Sequence, residues 1–101
     1  PILTFGGLQL NLLEHRVVVE GREVKLTPTE YELLKVMLKY AGRVLTHKQL
    51  LKAVWGNEYD TDTHYIRIYM RQLRRKIEPD PAQPKYLITE AGIGYRLLGG
   101  E

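Results

Sequence analysis

At Thr27 the sequence changes its period, and that change constrains the fold more than any other feature. Thr27-Pro28-Thr29-Glu30 is a helix-start signature. The threonine hydroxyl accepts an orphan backbone N–H, Glu30 reaches back to the cap, and proline sits at the first helical position, where its missing N–H costs nothing. Before it the chain reads as short strands. Leu3-Thr4-Phe5 meets the Gly6-Gly7 turn, and Leu8-Gln9-Leu10-Asn11-Leu12 alternates apolar with polar. Glu14-His15 then leads into Arg16-Val17-Val18-Val19, and Glu20-Gly21 into Glu23-Val24-Lys25-Leu26. Strands joined by such tight turns predict an antiparallel meander, because parallel crossovers need a dozen or more connecting residues.

After Thr27 the pattern becomes helical. Tyr31, Leu33, Leu34, Met37 and Leu38 recur at three and four, and Ala41-Gly42 closes this first helix. Arg43-Val44-Leu45 reads as extended. Thr46-His47-Lys48-Gln49 is a second capping box and opens a short helix through Leu50, Leu51 and Val54-Trp55, which ends at Gly56. Asn57, Glu58, Tyr59, Asp60, Thr61 and Asp62 form an acidic polar loop before a third helix over about 63–77. Pro79, Pro81 and Pro84 make a rigid connector. Residues about 86–98, centred on Gly92-Ile93-Gly94, read as a hairpin. With 101 residues, 44% of them apolar, the chain predicts one α+β domain spanning 1–101.

Composition removes several classes of function. There is no cysteine, so disulfides, thiol catalysis and cysteine zinc sites are excluded, and no serine, so a Ser-His-Asp triad is too. His15, His47 and His64 lack metal-ligand spacing. Asp60-x-Asp62-x-His64 lacks the glycine and late glutamate of a calcium loop, and Gly92-x-Gly94 precedes a strand with Leu97 where a third glycine belongs. Apolar runs reach only three residues, as in Val17 to Val19, and no signal peptide is visible, so no membrane partner is expected. No enzyme activity, cofactor or metal is expected. The chain opens on Pro1 rather than Met and is expected to be a domain excised from a longer protein.

The third helix holds the distinctive chemistry. Ile66, Met70, Leu73 and Ile77 fall within about 60° on a helical wheel and predict its core face. His64, Ile68, Arg71, Gln72 and Arg75 lie opposite, with Tyr65, Arg67, Tyr69, Arg74 and Lys76 on the flanks. From His64 to Lys76 there are five Lys or Arg and no acid, a concentration hidden by the net charge of +3. Surface helices ordinarily intersperse both signs, and basic residues near a helix end also suit its dipole. An outward Ile68 ringed by Arg, His, Gln and Tyr is nonetheless the mixture that reads a major groove, where thymine methyls take apolar contacts, base edges take Gln or Arg, and phosphates take Arg or Lys. A short helix, a loop and a basic helix make a helix-turn-helix with an expanded turn, and the hairpin fits a wing. A winged-helix module docking an acidic protein is the competing reading. RNA binding lacks the stacking sheet aromatics of common single-strand readers.

In order and at spacing, Leu26-Thr27-Pro28-Thr29-Glu30-Tyr31-Glu32-Leu33-Leu34, Gly42-Arg43-Val44-Leu45-Thr46, Gln49-Leu50-Leu51, Val54-Trp55-Gly56, Arg71-Gln72-Leu73-Arg74-Arg75-Lys76-Ile77 and Gly92-Ile93-Gly94-Tyr95-Arg96 resemble the winged-helix effector domain of OmpR/PhoB-type response regulators. His64 to Met70 and Ile88 to Arg96 are most similar to the potassium-responsive Kdp branch. The resemblance implies a four-stranded N-terminal antiparallel sheet, three helices and a C-terminal β-hairpin wing. It implies a cytoplasmic two-component transcription regulator with an N-terminal receiver acted on by a sensor kinase, and tandem binding of double-stranded DNA at direct-repeat half-sites. By position, His64, Tyr65, Ile68, Tyr69 and Gln72 would face bases or nearby phosphates. Trp55, Arg71, Arg74, Arg75, Thr89 and Tyr95 would meet the DNA backbone. Asn57 to Asp62 corresponds to a loop that contacts RNA polymerase in some members. Ala91 stands where several relatives carry a wing-tip arginine, and Gln72 where some use a base-reading arginine, so weaker wing readout and a different half-site are expected. Arg67 and Arg71 are candidates for pairing with acids inside the domain. The isolated domain is expected to be a monomer that pairs head to tail on DNA.

Overall fold

The computed structural model describes residues 1–56 and 63–99. Four short strands, β1 (Ile2–Phe5), β2 (Leu8–Asn11), β3 (Arg16–Val19) and β4 (Arg22–Val24), form an antiparallel sheet in chain order. Strands β3 and β4 are joined by the two-residue turn Glu20-Gly21, both at positive φ (48° and 80°), the conformation whose twist matches that of paired strands. Leu8, Leu10, Val17, Val19 and Val24 alternate inward and are buried, as the period-two pattern requires.

Helix α1 (Pro28–Lys39) starts on the Thr27 capping box, with Glu30 N donating to Thr27 Oγ1 at 3.3 Å and Thr27 N to Glu30 Oε1 at 2.9 Å. Strand β5 (Val44–Thr46) leads into α2 (His47–Trp55), started by the Thr46–Gln49 box and ended at Gly56 (φ 82°). Helix α3 (Thr63–Ile77) and the β6 (Leu87–Glu90) and β7 (Gly94–Leu97) hairpin complete the domain. The core faces of α1 and α3 are those expected: Tyr31, Leu33, Leu34, Met37 and Leu38 on one, Ile66, Met70, Leu73 and Ile77 on the other, all buried.

The hairpin does not stand alone. Strand β5 pairs with β7, giving a three-stranded sheet of order β5-β7-β6. The approach is close enough that a Cβ on Gly94 would lie 1.9 Å from the Leu45 carbonyl oxygen, so only glycine fits there. Two carboxylates stitch distant parts together. Glu78, 4% exposed, accepts the backbone N–H groups of Lys85, Tyr86 and Leu87 at 2.8 to 3.2 Å. Glu20 accepts the Tyr86 hydroxyl at 2.6 Å, joining the N-terminal sheet to the hairpin.

Burial first, then the hydrogen bond to Glu20, pushes the Tyr86 phenol up to about 12. Because this folded value exceeds that of an unfolded tyrosine near 10, the stabilisation is complete below pH 10 and is lost as pH rises toward 12. Urea midpoints should therefore fall between pH 9.5 and 11.5 (about) more steeply in the native chain than in Tyr86→Phe. Equal slopes would refute this coupling.

Candidate nucleic-acid interface

The amphipathicity of α3 sets the site. Burying Ile66, Met70, Leu73 and Ile77 against the core turns His64, Tyr65, Arg67, Ile68, Arg71, Gln72 and Arg75 outward, all exposed. Ile68 is 39% and Tyr65 46% exposed, so the apolar side chain does lie in the middle of a polar, basic face. Tyr69 is half-buried and packs its ring on Trp55, centroids 5.3 Å apart. Leu51, Trp55, Tyr65 and Tyr69 line a small cleft of about 170 Å³ between α2 and α3. Trp55 is thus a buttress holding the first half of α3 on α2, with part of its surface still open.

The five cations of α3 divide into two groups. Lys76 Nζ meets the buried Glu30 carboxylate at 2.5 Å, so the α1 capping glutamate also receives the end of α3. Arg74 reaches across to the hairpin. Its Nε and Nη2 donate to the Leu87 carbonyl at 3.1 and 2.9 Å, and Nη2 donates to Thr89 Oγ1 at 2.7 Å. The same guanidinium lies over the Tyr95 ring, 5.8 Å from its centroid. Arg67, Arg71 and Arg75 make no ion pair among the described residues. Among the described residues the expected pairing of Arg67 and Arg71 with acids inside the domain is not found, and three acids near α3 have other partners: Glu30 has Lys76, Glu78 has backbone amides and Glu90 has Arg96 at 2.7 Å.

The hairpin brings the remaining residues beside this face. Thr89 and Tyr95 are cross-strand partners, and their side chains share one side of the sheet with Arg74 between them and α3. Thr89 is exposed, and its hydroxyl, accepting from Arg74, keeps its own O–H to donate. Tyr95 is only 4% exposed, stands edge-on to His47, and has its phenol pushed up by burial, opposed by the charges of Arg74 and Arg67. The hairpin tip is tied to the start of α2, where His47 N donates to the Ile93 carbonyl at 3.3 Å. Ala91 is exposed at that tip. Asn57, Glu58, Tyr59, Asp60, Thr61 and Asp62 lie outside the described residues.

The Lys76–Glu30, Arg74–Leu87 and Glu78 contacts had no individual signal in the sequence beyond a glutamate inside a capping box. Together they frame, with two helices and a wing, a basic face on which Arg67, Arg71 and Arg75 form no ion pair among the described residues. A scaffold of this shape defines a winged-helix, nucleic-acid-binding class of domain.

Comparison with known proteins carries the assignment further. Residues 21–97 match the family described as transcriptional regulatory protein, C terminal. The chain is 50% identical over 99 residues to the KDP operon transcriptional regulatory protein KdpE of Escherichia coli (strain K12), an alignment covering 97% of this chain and 44% of that protein. It superposes with a TM-score of 0.85 at 30% identity on the response regulator DrrB, a Thermotoga maritima OmpR/PhoB homologue, covering 97% of this chain and 44% of that one. It also superposes with a TM-score of 0.82 at 27% identity on the DNA binding domain of CpxR from E. coli, covering 100% and 99%. The chain belongs to the family of C-terminal domains of transcriptional regulatory proteins, and is an OmpR/PhoB-type winged-helix DNA-binding domain. It spans less than half the length of the curated KdpE relatives it matches, 42% of one and 44% of another. Among the described residues, no helix is long and apolar enough to cross a membrane.

Proposed function

We propose that residues 1–101 form one output domain of a two-component response regulator, binding duplex DNA sequence-specifically with the outer face of α3 in the major groove. One observation carries the reading: Arg67, Arg71 and Arg75 surround exposed Ile68 and Gln72 with no acid paired to any of the three among the described residues. Ile68 suits a thymine methyl, and Gln72 offers a donor and an acceptor to a base edge. His64, Tyr65 and Tyr69 flank them toward the bases and nearby phosphates. Arg71, Arg75, the Thr89 hydroxyl and the open part of Trp55 meet phosphates. Arg74 has two of its nitrogens committed to the hairpin and Tyr95 is buried, so their main role in this reading is to aim Thr89 and the wing, with Arg74 Nη1 left for a phosphate.

A receiver domain in the full-length protein, addressed by a sensor kinase, would control pairing of two such domains on direct-repeat half-sites. Residues 57–62 would supply a contact to RNA polymerase. The protein would work in the cytoplasm, as a monomer when its domain is isolated.

Selection from a random duplex library at two salt concentrations tests this. The expected result is a short half-site repeated in the same orientation about one helical turn apart. Binding at low salt without any motif would instead favour a basic surface that docks an acidic protein. Ile68→Ala and Gln72→Ala should each relax preference at one base pair by about 1–3 kcal/mol, whereas Arg71→Ala should weaken all sequences alike. If Gln72→Ala also acts uniformly across sequences, the groove assignment is wrong.

A further inference from the structure

The C-terminal end of α1, strand β5 and one face of α2 enclose a groove of about 650 Å³ that the DNA reading does not use. Its apolar lining comes from Val36 and Tyr40, four positions apart on α1, from Val44 and Leu45 on β5, and from Ala53 on α2. Tyr40 and Val44 are 40% and 38% exposed. These open apolar side chains are gathered around one recess rather than scattered, the arrangement that marks a binding surface.

Three hydrogen-bond donors line the same recess: Arg43, Gln49 and Lys52. Neither cation forms an ion pair among the described residues. Gln49 is oriented by its own capping box, where its Oε1 accepts the Thr46 N–H at 2.8 Å. That leaves the two hydrogens on its Nε2 as the part this side chain offers to a ligand. Gln49, Lys52 and Ala53 are spaced three and four along α2 and so share a face. Among the described residues no carboxylate lines the groove. An apolar hollow with two cations, an amide donor and no acid is complementary to an apolar body that ends in one anionic head.

Size selects among such occupants. A stable protein interface takes roughly 20–30 residues from each side, far more than line this groove. Its volume instead lies within the roughly 300–1,000 Å³ of small-molecule sites.

We propose that the groove is a ligand site for a free amphiphilic anion, a carboxylate on a medium-length alkyl chain. Arg43, Lys52 and the Gln49 amide hold the head, and the chain lies along Val36, Tyr40, Val44, Leu45 and Ala53. The apolar residues line a recess rather than crown a protruding face, which suits a single dissolved molecule over a bilayer surface. None of these residues belongs to α3 or to the hairpin, so the site stands apart from the DNA reading and does not depend on it.

Calorimetric titration with dodecanoate, kept below its micelle-forming concentration, tests this. The expected result is saturable one-to-one binding, with amide resonances of Val36, Val44 and Ala53 shifting together. A fully buried methylene changes affinity about fourfold, and an open groove buries about half of each. Octanoate, four methylenes shorter, should therefore bind about tenfold more weakly. The double variant Arg43→Glu, Lys52→Glu alters two exposed positions and should keep the fold. It should bind dodecanoate at least about tenfold more weakly and dodecyltrimethylammonium more tightly than the native chain does, a swap that unfolding cannot produce. Excess duplex should leave dodecanoate binding unchanged. Heats that never saturate, a double variant that binds dodecanoate as the native chain does, or displacement by duplex, which would place the anion on α3, would each overturn the proposal. So would groove resonances that respond only to a short peptide of alternating aspartate and leucine, or only to dodecanoate held in vesicles, because the occupant would then be a protein segment or a bilayer. A chain that binds dodecanoate in this way but selects no duplex would keep the ligand site and lose the DNA reading.

Discussion

Replacing Glu78 by alanine should lower the melting temperature by about 15–25 °C, the largest effect on stability expected from any single polar side chain in the domain. The carboxylate is buried and follows α3 directly, with its own N–H bonded to the Arg74 carbonyl at 2.9 Å. A negative charge at a helix C-terminus is unfavourable, so something must compensate it. The compensation is the three consecutive N–H groups of Lys85, Tyr86 and Leu87, all directed at its two oxygens. Alanine would strand these donors in a site from which water is largely excluded, at about 1–3 kcal/mol each when left unpaired. Some will be recovered by water, so about 3–4 kcal/mol is the working figure, against the 5–15 kcal/mol typical of whole domains. Glu78→Gln keeps one acceptor oxygen and should fall between the two. Far-UV circular dichroism melts of the three proteins decide this, and an alanine variant melting within a few degrees of the native chain would refute it. The consequence reaches function, because this carboxylate sets where the wing leaves the end of α3.

What could be read from the sequence alone, and what could not, follows from the range of the interactions. Both capping boxes, the buried stripe of α3 and the Glu20-Gly21 turn depend on residues within four positions of one another. Local chemistry specifies them before any tertiary contact forms. The outward set around Ile68 was legible for the same reason, since helical period alone separates it from Ile66, Met70, Leu73 and Ile77. The pairing of β5 with β7 was not legible: three residues, Val44–Thr46, have no alternation long enough to declare a partner fifty positions away. Lys76 and Glu30 are 46 positions apart, and each has a sufficient local explanation, as a C-terminal cation and as a capping glutamate. Arg74, which the resemblance places at the DNA backbone, also bonds the Leu87 carbonyl, 13 positions away, and no local pattern signals that contact. The basic face is consequently smaller and more ordered than its composition suggests.

That reduction bears on the second large expected effect, the response of DNA affinity to salt. With Lys76 paired to Glu30 and Arg74 bonded to the hairpin through two of its nitrogens, Arg67, Arg71 and Arg75 are the α3 cations with neither kind of contact among the described residues. These three alone give a slope of log affinity against log salt near −2.7, at about −0.9 per neutralised phosphate. If contacts from α2 and the hairpin bring the total to about six, the slope approaches −5 and affinity falls about a thousandfold between roughly 50 and 200 mM salt. Fluorescence anisotropy with a labelled duplex at four or five salt concentrations measures it. Arg71→Ala and Arg75→Ala should each make the slope shallower by about 1. Lys76→Ala should leave the slope unchanged and lower the melting temperature instead, because its charge faces a buried carboxylate rather than solvent. A native slope shallower than −2 (about) would mean that α3 does not lie along the phosphates. A Lys76 variant that shifts the slope as Arg71 does would mean that the Glu30 pair opens on DNA, putting all five cations of the helix back into the interface.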